Sequence, residues 1–408
     1  MTIASTASHH RVLAEVSRPS PAERVLVALG RCMPYGQIDL EMPNGNRHRF
    51  VGAQHGPHTR LVVRDNRFLR RFLTGGANGF AEAYIDGDCD VDDLARFLTW
   101  AAMNHAAMAE TLRGRALPRM VNRIWHLMRP NTRIGAKRNI AYHYDLGNAF
   151  YEAWLDPTMT YSSAVFQTPD QTLAEAQRAK YQQIAGLGGF RQGDHVLEIG
   201  CGWGGFAVHA AKELGCRVTG ITISEEQFEF ARRRVHEEGL AERVEIRRQD
   251  YRDISGRFDG IASIEMFEAV GERYWPDFFT TLRSNLRTGG RASLQVITIA
   301  ESFFEQYRRS TDFIQRYIFP GGQLPSPAVL RNQAEAAGLR QIETESHGHS
   351  YAQTLAEWRR RFDAAWPRIQ TMGFDERFRR MWTYYLAYCE AGFTTERIDV
   401  KQVAFAHA

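Results

Sequence analysis

The strongest chemical signal in the sequence is a glycine-rich stretch at residues 196–205, which reads Val-Leu-Glu-Ile-Gly-Cys-Gly-Trp-Gly-Gly. An acid, Glu198, stands two residues before Gly200. A helical pattern at 206–214 and a second apolar run at 216–223 follow the stretch, so the sequence predicts a strand, a tight turn, a helix and a strand. Glycines suit such a turn, because a Cβ would hinder both its dihedral angles and the close approach of a ligand.

Two cofactor classes fit this turn. Gly200, Gly202 and Gly205 satisfy the G-x-G-x-x-G pattern of dinucleotide sites. Glu198, however, can order the turn and receive the ammonium group that the methionine part of S-adenosylmethionine (SAM) supplies. The next strand ends, at 220–227, in hydroxyls and an amide, where a dinucleotide fold usually carries a lone ribose-binding acid. These residues favour SAM over a nicotinamide cofactor, and a tight turn without a cofactor is the remaining alternative.

Length and composition narrow the class of protein. A chain of 408 residues exceeds one typical core, so we expect two domains or more. The five cysteines are an odd number without C-x-x-C spacing, so neither a disulfide framework nor a metal site is predicted, and a reducing compartment fits best. No apolar run approaches the roughly 20 residues of a membrane span, and the first residues lack a signal-peptide pattern. We therefore expect a cytoplasmic protein.

The first part of the chain predicts a leader and a small domain. Residues 1–20 are rich in Ser, Ala and His without periodicity, and are predicted to be a disordered leader. Residues 21–112 are predicted to form a small α+β domain. Within it, an Asn-Gly turn is expected to join two strands at 37–42 and 47–51 into a hairpin.

Residues 113–138 predict a basic amphipathic linker helix. Arginines and lysines recur through this segment with no acid among them, and apolar residues recur beside them at spacings of three and four. Such a helix can lie in a lipid interface, where anionic headgroups attract its basic face. An ordinary surface helix packed through its apolar stripe is an equal alternative. Nucleic acid is not an expected partner, since no binding motif accompanies the charge.

Residues 139–408 predict a second, larger domain in which strands alternate with helices. The predicted strands are 196–199, 217–223, 244–247, 258–264 and 291–299. This order predicts an α/β fold, with a doubly wound, mostly parallel sheet. Ligands of such sheets lie at the carboxyl ends of the strands, which places Gly200, Thr222, Asp250 and 265–268 around one crevice.

Several motifs together resemble one family. They are Glu198-Ile-Gly-Cys-Gly-Trp-Gly204, His143-Tyr-Asp-Leu-Gly147, Thr160-Tyr-Ser162, Gly220-Ile-Thr-Ile-Ser224, Met266-Phe-Glu-Ala-Val-Gly271 and Tyr317-Ile-Phe-Pro-Gly-Gly-Gln-Leu-Pro-Ser326. From residue 139 onward the chain resembles the cyclopropane-fatty-acid synthases and the related mycolic-acid methyltransferases, and 79–94 resembles the small N-terminal domain of the longer bacterial members. The resemblance implies a class I SAM-methyltransferase fold with a small N-terminal α+β domain that helps to present lipid. It also implies an enzyme that moves the SAM methyl group onto a cis double bond of a phospholipid acyl chain.

The resemblance carries site residues over to this sequence. Those that would surround SAM are Tyr144, Tyr161, Ser162, Gly200, Gly202, Thr222 and Gln227. Gln249 or Asp250 would lie near the adenine. The family's catalytic centre also holds a bicarbonate ion that accepts a proton. Its matching positions are Ser163, Glu268, Ile297, the backbone of Ile299, and Tyr351.

Two of these positions depart from the family pattern. Ser163 stands where the synthases usually have cysteine, and Ile297 stands where many have histidine. Since isoleucine neither donates nor accepts a hydrogen bond, we expect an altered anion site. Either Ser163, Glu268 and Tyr351 still hold bicarbonate as the catalytic set, or Glu268 acts more directly. Glu265 ranks below Glu268 because it could simply cap or orient a helix start.

The sequence leaves the product and the rival functions open. Methyl transfer to an alkene leaves a carbocation, and the position of the base decides between a cyclopropane, a methylene branch and a methyl branch. Aromatic residues at 303–317 could stabilise the cation or simply pack a lid.

The rival functions are a soluble small-molecule SAM-dependent methyltransferase and a non-catalytic lipid-binding protein of the same fold. The expected partner is an anionic phospholipid membrane, met peripherally at its inner face, and a homodimer is left open.

Overall fold

The computed structural model describes residues 18–111 and 146–408. Most of the predicted leader, the predicted linker helix at 113–138 and the predicted SAM contact Tyr144 therefore lie outside the described residues. Within the described residues, no helix combines the length and the apolar character needed to cross a membrane.

The N-terminal part is a small α+β unit. It contains helices α1 (Pro21–Arg31), α2 (Arg67–Ile85), α3 (Leu94–Met103) and α4 (His105–Thr111), and strands β1 (Tyr35–Glu41), β2 (Arg47–Val51), β3 (Gln54–Val63) and β4 (Cys89–Val91). The strands form a sheet in the order β2-β1-β3-β4, in which β1 and β3 are parallel. The hairpin of β1 and β2 follows the Asn-Gly turn as predicted, with Gly45 in the left-handed region at a φ of 83°.

A buried carboxylate joins the first helix to this hairpin. Glu23 forms a capping box with Ser20 at the start of α1. Its carboxylate also accepts hydrogen bonds from the Asn44 and Asn46 side chains at 3.1 and 2.9 Å, and contacts the His48 ring at 2.8 Å. These donors compensate the burial of the charge, so the turn and α1 are held in one arrangement.

The larger part carries the predicted α/β sheet. Its elements up to the last parallel strand are α5 (Asn148–Glu152), α6 (Leu173–Gly188), β5 (His195–Ile199), α7 (Gly205–Glu213), β6 (Arg217–Thr222), α8 (Glu225–Glu237), β7 (Val244–Arg248), β8 (Phe258–Ile264), α9 (Trp275–Asn285) and β9 (Leu286–Ile299). All five predicted strands are present, although β9 begins five residues earlier than expected. Strands β5 to β9 pair in parallel. The predicted fold class is confirmed.

The C-terminal elements complete this sheet and add two long helices. They are α10 (Glu301–Arg308), a π-helical turn (Ile314–Ile318), α11 (Pro327–Ala336), β10 (Leu339–Ser346), α12 (Gly348–Gln370), α13 (Glu376–Thr394) and β11 (Ile398–His407). The full strand order is β10-β11-β9-β8-β5-β6-β7, with β11 antiparallel to both of its neighbours. Strands β8, β5 and β6 are neighbours and parallel, so their carboxyl ends lie side by side at one edge of the sheet.

One arginine of α13 holds the N-terminal unit against the larger part. The Arg380 guanidinium donates to the backbone carbonyls of Tyr84 and Cys89 at 2.5 and 2.8 Å. It also pairs with Asp90 at 3.0 Å and lies over the Tyr84 ring at 4.2 Å. The end of α2 and the start of β4 are therefore both anchored to α13 by this mostly buried side chain.

Replacing this arginine should loosen the attachment. An Arg380→Met variant keeps an unbranched apolar side chain but removes the guanidinium donors of two carbonyls and the ion-pair partner of Asp90, so it should lower the free energy of unfolding by about 2 kcal/mol. Chemical denaturation of the full chain measures this loss. The matched control is Arg377→Gln on the same helix, whose exposed pair with Asp86 should cost at most about 1 kcal/mol. Equal losses for the two variants would contradict the assignment.

Candidate active site

The glycine turn after β5 forms an open concave surface. Gly200 has a φ of 83°, and a Cβ on it would lie 2.7 Å from the Met266 Cγ, so a larger residue does not fit there. Gly202 has a φ of 52°, and a Cβ on it would meet no atom within 4 Å. The backbone N–H groups of Gly200 and Cys201 donate to the Ile221 carbonyl at 3.0 and 2.9 Å, which fixes the turn on β6. Space for a ligand therefore lies directly above Gly202.

Glu198 provides a buried carboxylate under this turn. The residue is 2% exposed, and its Oε2 atom has no hydrogen-bond partner among the described residues. Burial raises its pKa well above the ordinary value, while the nearby Lys180 charge acts in the opposite direction. A buried carboxylate oxygen without a donor needs a partner, and a ligand ammonium group is a suitable one. The site therefore fits the methionine end of SAM.

The other described residues predicted to bind SAM line one cavity of about 780 Å³ together with the turn. They are Tyr161, Ser162, Glu198, Gly200, Gly202, Thr222, Gln227, Gln249 and Asp250. The Thr222 hydroxyl donates to the Gln227 amide oxygen at 2.8 Å, so the two side chains hold each other in place. Asp250 is engaged by Arg252, whose guanidinium donates to both carboxylate oxygens at 2.8 and 2.5 Å. The structure thus brings these predicted residues into one crevice.

Glu265 occupies a more central place than the sequence suggested. It follows β8 in the left-handed region with a φ of 49°, which is uncommon for a residue with a side chain. Its carboxylate accepts hydrogen bonds from the Ser163 backbone N–H at 2.7 Å, the Gln295 amide at 2.7 Å and the Tyr351 hydroxyl at 2.6 Å. No side-chain cap marks the following turn of Phe267–Ala269. The interpretation of Glu265 as a helix cap is therefore wrong.

Glu268 lies in the same cavity but has few hydrogen bonds. Its Oε1 atom accepts from the Ile297 backbone N–H at 2.5 Å, and its Oε2 atom has no partner among the described residues. Burial and, secondarily, the Glu265 charge raise the pKa of Glu268 to about 8. Burial also raises the pKa of Glu265, while its three donors and the nearby Lys180 charge lower it. Because Glu268 has fewer donors, the geometry makes Glu265 the more readily ionised of the two acids.

The three predicted catalytic residues have different positions. Glu268 and Tyr351 line the cavity, whereas Ser163 does not. The Ser163 hydroxyl donates to the Ala164 carbonyl at 2.9 Å, so its contribution to the site is its backbone N–H. Ile297 also lines the cavity and contributes a backbone donor to Glu268.

Two buried residues of α6 support the site, although neither was predicted from the sequence. The Lys180 ammonium is fully buried and donates to the Ser162 hydroxyl at 2.7 Å, and the Gln177 amide donates to the Ser162 carbonyl at 2.9 Å. Burial lowers the pKa of Lys180 to about 7, although Glu265, Asp156 and Glu198 favour its charged form. A signal was available, because a glutamine and a lysine three residues apart fall on the apolar face of α6 beside Ala176 and Tyr181.

The fold and this crevice define a class I SAM-dependent methyltransferase. Comparison with solved structures agrees: a mycolic acid cyclopropane synthase, in complex with SAH and CTAB, superposes with a TM-score of 0.63 at 30% identity. That match covers 66% of this chain and 97% of the synthase. The model of the mycolic acid cyclopropane synthetase family matches residues 131–403, and the chain belongs to this family.

Two curated relatives extend over the N-terminal unit as well. A tuberculostearic acid methyltransferase of Mycobacterium tuberculosis is 41% identical over 361 residues, which are 84% of this chain and 82% of that protein. The cyclopropane-fatty-acyl-phospholipid synthase of Escherichia coli K12 is 35% identical over 358 residues, which are 85% and 87% of the two chains. The protein is therefore a SAM-dependent methyltransferase of a lipid-modifying family.

The raised pKa of Glu268 predicts a pH effect on stability. An unfolded glutamate titrates near 4.5, whereas folded Glu268 titrates near 8, so between these values only the folded state keeps the proton. The free energy of unfolding should therefore fall as the pH rises through this window. A Glu268→Gln variant, which can still accept from Ile297, should lose part of this dependence and gain stability over the wild type at pH 8.

Thermal unfolding of the ligand-free protein at pH 5.5 and pH 8 tests this prediction. The exposed residue Glu305 supplies the control, since Glu305→Gln should follow the wild type at both pH values. Parallel pH profiles for wild type and Glu268→Gln would show that Glu268 is ionised throughout.

Proposed function

We propose that this protein transfers a methyl group from SAM to the cis double bond of an unsaturated phospholipid acyl chain, and that the product carries a methylene branch. The observation that carries this proposal is the Glu265 carboxylate, which accepts three hydrogen bonds in the wall of the cavity. A soluble small-molecule substrate is the alternative.

The residues around the glycine turn would hold SAM. Glu198 supplies a carboxylate for the ammonium group, Gly202 leaves space above the turn, and Thr222 and Gln227 offer polar atoms at the end of β6. Bound there, SAM would supply an electrophilic methyl carbon on a positively charged sulfur. The hydrogen bond between Thr222 and Gln227 fixes these two side chains before the ligand arrives, which lowers the entropy cost of positioning.

The cavity supports a long apolar substrate. Beyond the carboxylates its wall continues into the N-terminal unit, where Leu29, Ile38, Leu61, Phe80 and Leu98 line it. A soluble small molecule would not need so much apolar surface outside the cofactor crevice. The same walls would keep water from the carbocation that forms on the acyl chain. Of the aromatic residues at 303–317, Tyr307 lines the cavity, and its hydroxyl accepts from the Leu324 N–H at 3.2 Å.

In the family that this chain resembles, the positions of Ser163 and Tyr351 belong to the bicarbonate site. Here the Ser163 N–H and the Tyr351 hydroxyl both donate hydrogen bonds to the Glu265 carboxylate instead. The Ile297 side chain offers no donor in place of the usual histidine. Bicarbonate is an anion and needs hydrogen-bond donors around it. At this place it would meet the buried Glu265 carboxylate, so the residues present do not fit bicarbonate.

Glu265 is then the base of the proposed reaction. Its ionised carboxylate accepts the proton that the lipid cation loses, while protonated Glu268 adds no second negative charge. Once the methyl group is on the acyl chain, a hydride shifts from the methylated carbon to the neighbouring cationic carbon. Glu265 then takes a proton from the new methyl group, and the C–H electron pair forms the C=CH₂ branch. Since the relative at 41% identity is a tuberculostearic acid methyltransferase, we assign this chain a branched product rather than a ring.

The substrate would be met at a membrane surface. The basic composition of 113–138 and the net charge of +4 support attraction to anionic headgroups. We propose that the protein works peripherally at the inner face of the membrane. Assembly into a homodimer stays a prediction.

Product analysis tests the proposed function. Purified protein is incubated with SAM and vesicles of dioleoyl phosphatidylglycerol, and the released fatty acids are analysed by mass spectrometry before and after catalytic hydrogenation. The expected product gains one CH₂ and takes up hydrogen to give a methyl-branched chain. A gain of one CH₂ that resists hydrogenation would mean a cyclopropane. No methylated lipid would overturn the proposal.

A conservative variant gives the control. Glu265→Gln keeps the shape of the side chain but cannot accept the proton as a carboxylate does, so its turnover should fall by at least about 100-fold. Its affinity for S-adenosylhomocysteine, measured by calorimetry, should stay close to that of the wild type. Wild-type turnover in this variant would remove Glu265 from the chemistry.

A further inference from the structure

A second group of polar residues lies in the same cavity, at the start of β11. The Arg397 guanidinium lies over the Phe303 ring at 4.4 Å, and the Arg397 backbone carbonyl accepts from the Ala300 N–H at 3.1 Å. The side chain lines the cavity and is half-buried. In the parts of the chain that the structure describes, no carboxylate lies within ion-pair distance of it. A cation that is partly desolvated without a counter-charge is costly, so an anion is expected there.

A basic side chain from the N-terminal unit faces the same place. His105, the first residue of α4, lines the cavity, and its ring has no hydrogen-bond partner among residues 18–111 and 146–408. Burial lowers the pKa of His105, and the Arg397 charge lowers it further. Two nitrogen-bearing side chains from separate parts of the chain therefore line the same cavity.

The nearby acid Asp312 interacts with the Arg397 charge but forms no ion pair with it. Asp312 also lines the cavity, but its carboxyl group accepts from the Gln315 N–H at 2.9 Å and from the Tyr388 hydroxyl. Burial raises the pKa of Asp312, whereas its hydrogen bonds and the Arg397 charge lower it. The carboxyl group is thus occupied by its own donors.

The cavity opens to solvent beside this pair. Gln306 and Ser310 line it and are both exposed, and they lie on the segment that follows Phe303. A long-chain substrate that reaches the carboxylates through this opening would leave its polar end near Arg397. A guanidinium is well matched to phosphate oxygens, because its planar fork can donate two parallel hydrogen bonds.

We infer that Arg397, assisted by His105, binds the phosphodiester group of the phospholipid whose acyl chain reaches Glu265. The inference rests on the proposed function and adds to it a headgroup site built from both parts of the chain. Arg397 is a specificity residue here, since it contacts the phosphate and not the reacting carbons. The alternative is that Arg397 only packs on Phe303, without a ligand.

Binding measurements with two matched lipids test this inference. Oleoyl lysophosphatidylglycerol and monooleoylglycerol carry the same acyl chain, but only the first has a phosphate. With both kept monomeric and S-adenosylhomocysteine present, the wild type should bind the phosphate lipid roughly tenfold more tightly. Arg397→Gln should erase this preference without weakening the neutral lipid. Arg397→Lys should keep part of it, and His105→Gln should reduce it.

Two controls distinguish the headgroup site from a general effect of positive charge and from a site for free phosphate. Arg309→Gln changes an exposed arginine that pairs with Glu305, and should keep the wild-type preference. Inorganic phosphate should compete only weakly, because it lacks the acyl chain; equal affinity for phosphate alone would mean a free-phosphate site and overturn the inference. The melting temperature and the affinity for S-adenosylhomocysteine report whether each variant is folded.

The outcomes also distinguish this inference from the proposed function. If the wild type binds both lipids equally, the proposed headgroup site is wrong, but the proposal that the cavity binds an acyl chain is unaffected. If Arg397→Gln keeps the full preference, Arg397 only packs on Phe303. If the wild type binds neither lipid, the lipid substrate and the headgroup site are both overturned.

Discussion

The Glu265 carboxylate accepts hydrogen bonds from three separate segments of the chain, and most of the active site depends on this arrangement. The Ser163 N–H belongs to the loop before α6, Gln295 to β9 and Tyr351 to α12. Glu265 itself ends β8 in a left-handed conformation. The cost of that backbone conformation is offset by three hydrogen bonds to a buried charge. One side chain thus joins the central sheet to the C-terminal helices at the point where chemistry is expected.

The charged groups near the Glu265 carboxylate offset one another. Lys180 is attracted by Glu265, Asp156 and Glu198, while it donates to the Ser162 hydroxyl. Lys180 therefore has two roles. It holds the loop that carries Ser163, and its charge offsets the charges of the buried acids. Glu268 is buried with fewer hydrogen-bond donors, and its raised pKa keeps it protonated near neutral pH. An ionised and a neutral carboxyl group can lie in one cavity because their surroundings differ.

Sequence patterns predicted the parts of the structure that depend on local signals. The glycine turn, the five parallel strands and the hairpin at the Asn-Gly pair were all predicted, because glycine positions and apolar periodicity report them directly. Strand β11 was missed, since it is antiparallel and pairs with β9 from about a hundred residues away along the chain. The role of Glu265 was missed for a similar reason. Its donors come from positions 163, 295 and 351, and only tertiary structure brings them together.

The measurement that tests this account most directly is the bicarbonate dependence of turnover in carbon-dioxide-free buffer. Wild type is compared with Glu265→Gly, a change that removes the carboxylate and suits the left-handed backbone at this position. If Glu265 fills the anion site, wild-type turnover is indifferent to added bicarbonate, and the slow Glu265→Gly variant is stimulated by it. A wild-type enzyme that requires bicarbonate would contradict the account, because a second anion would then have to bind where the Glu265 carboxylate already lies.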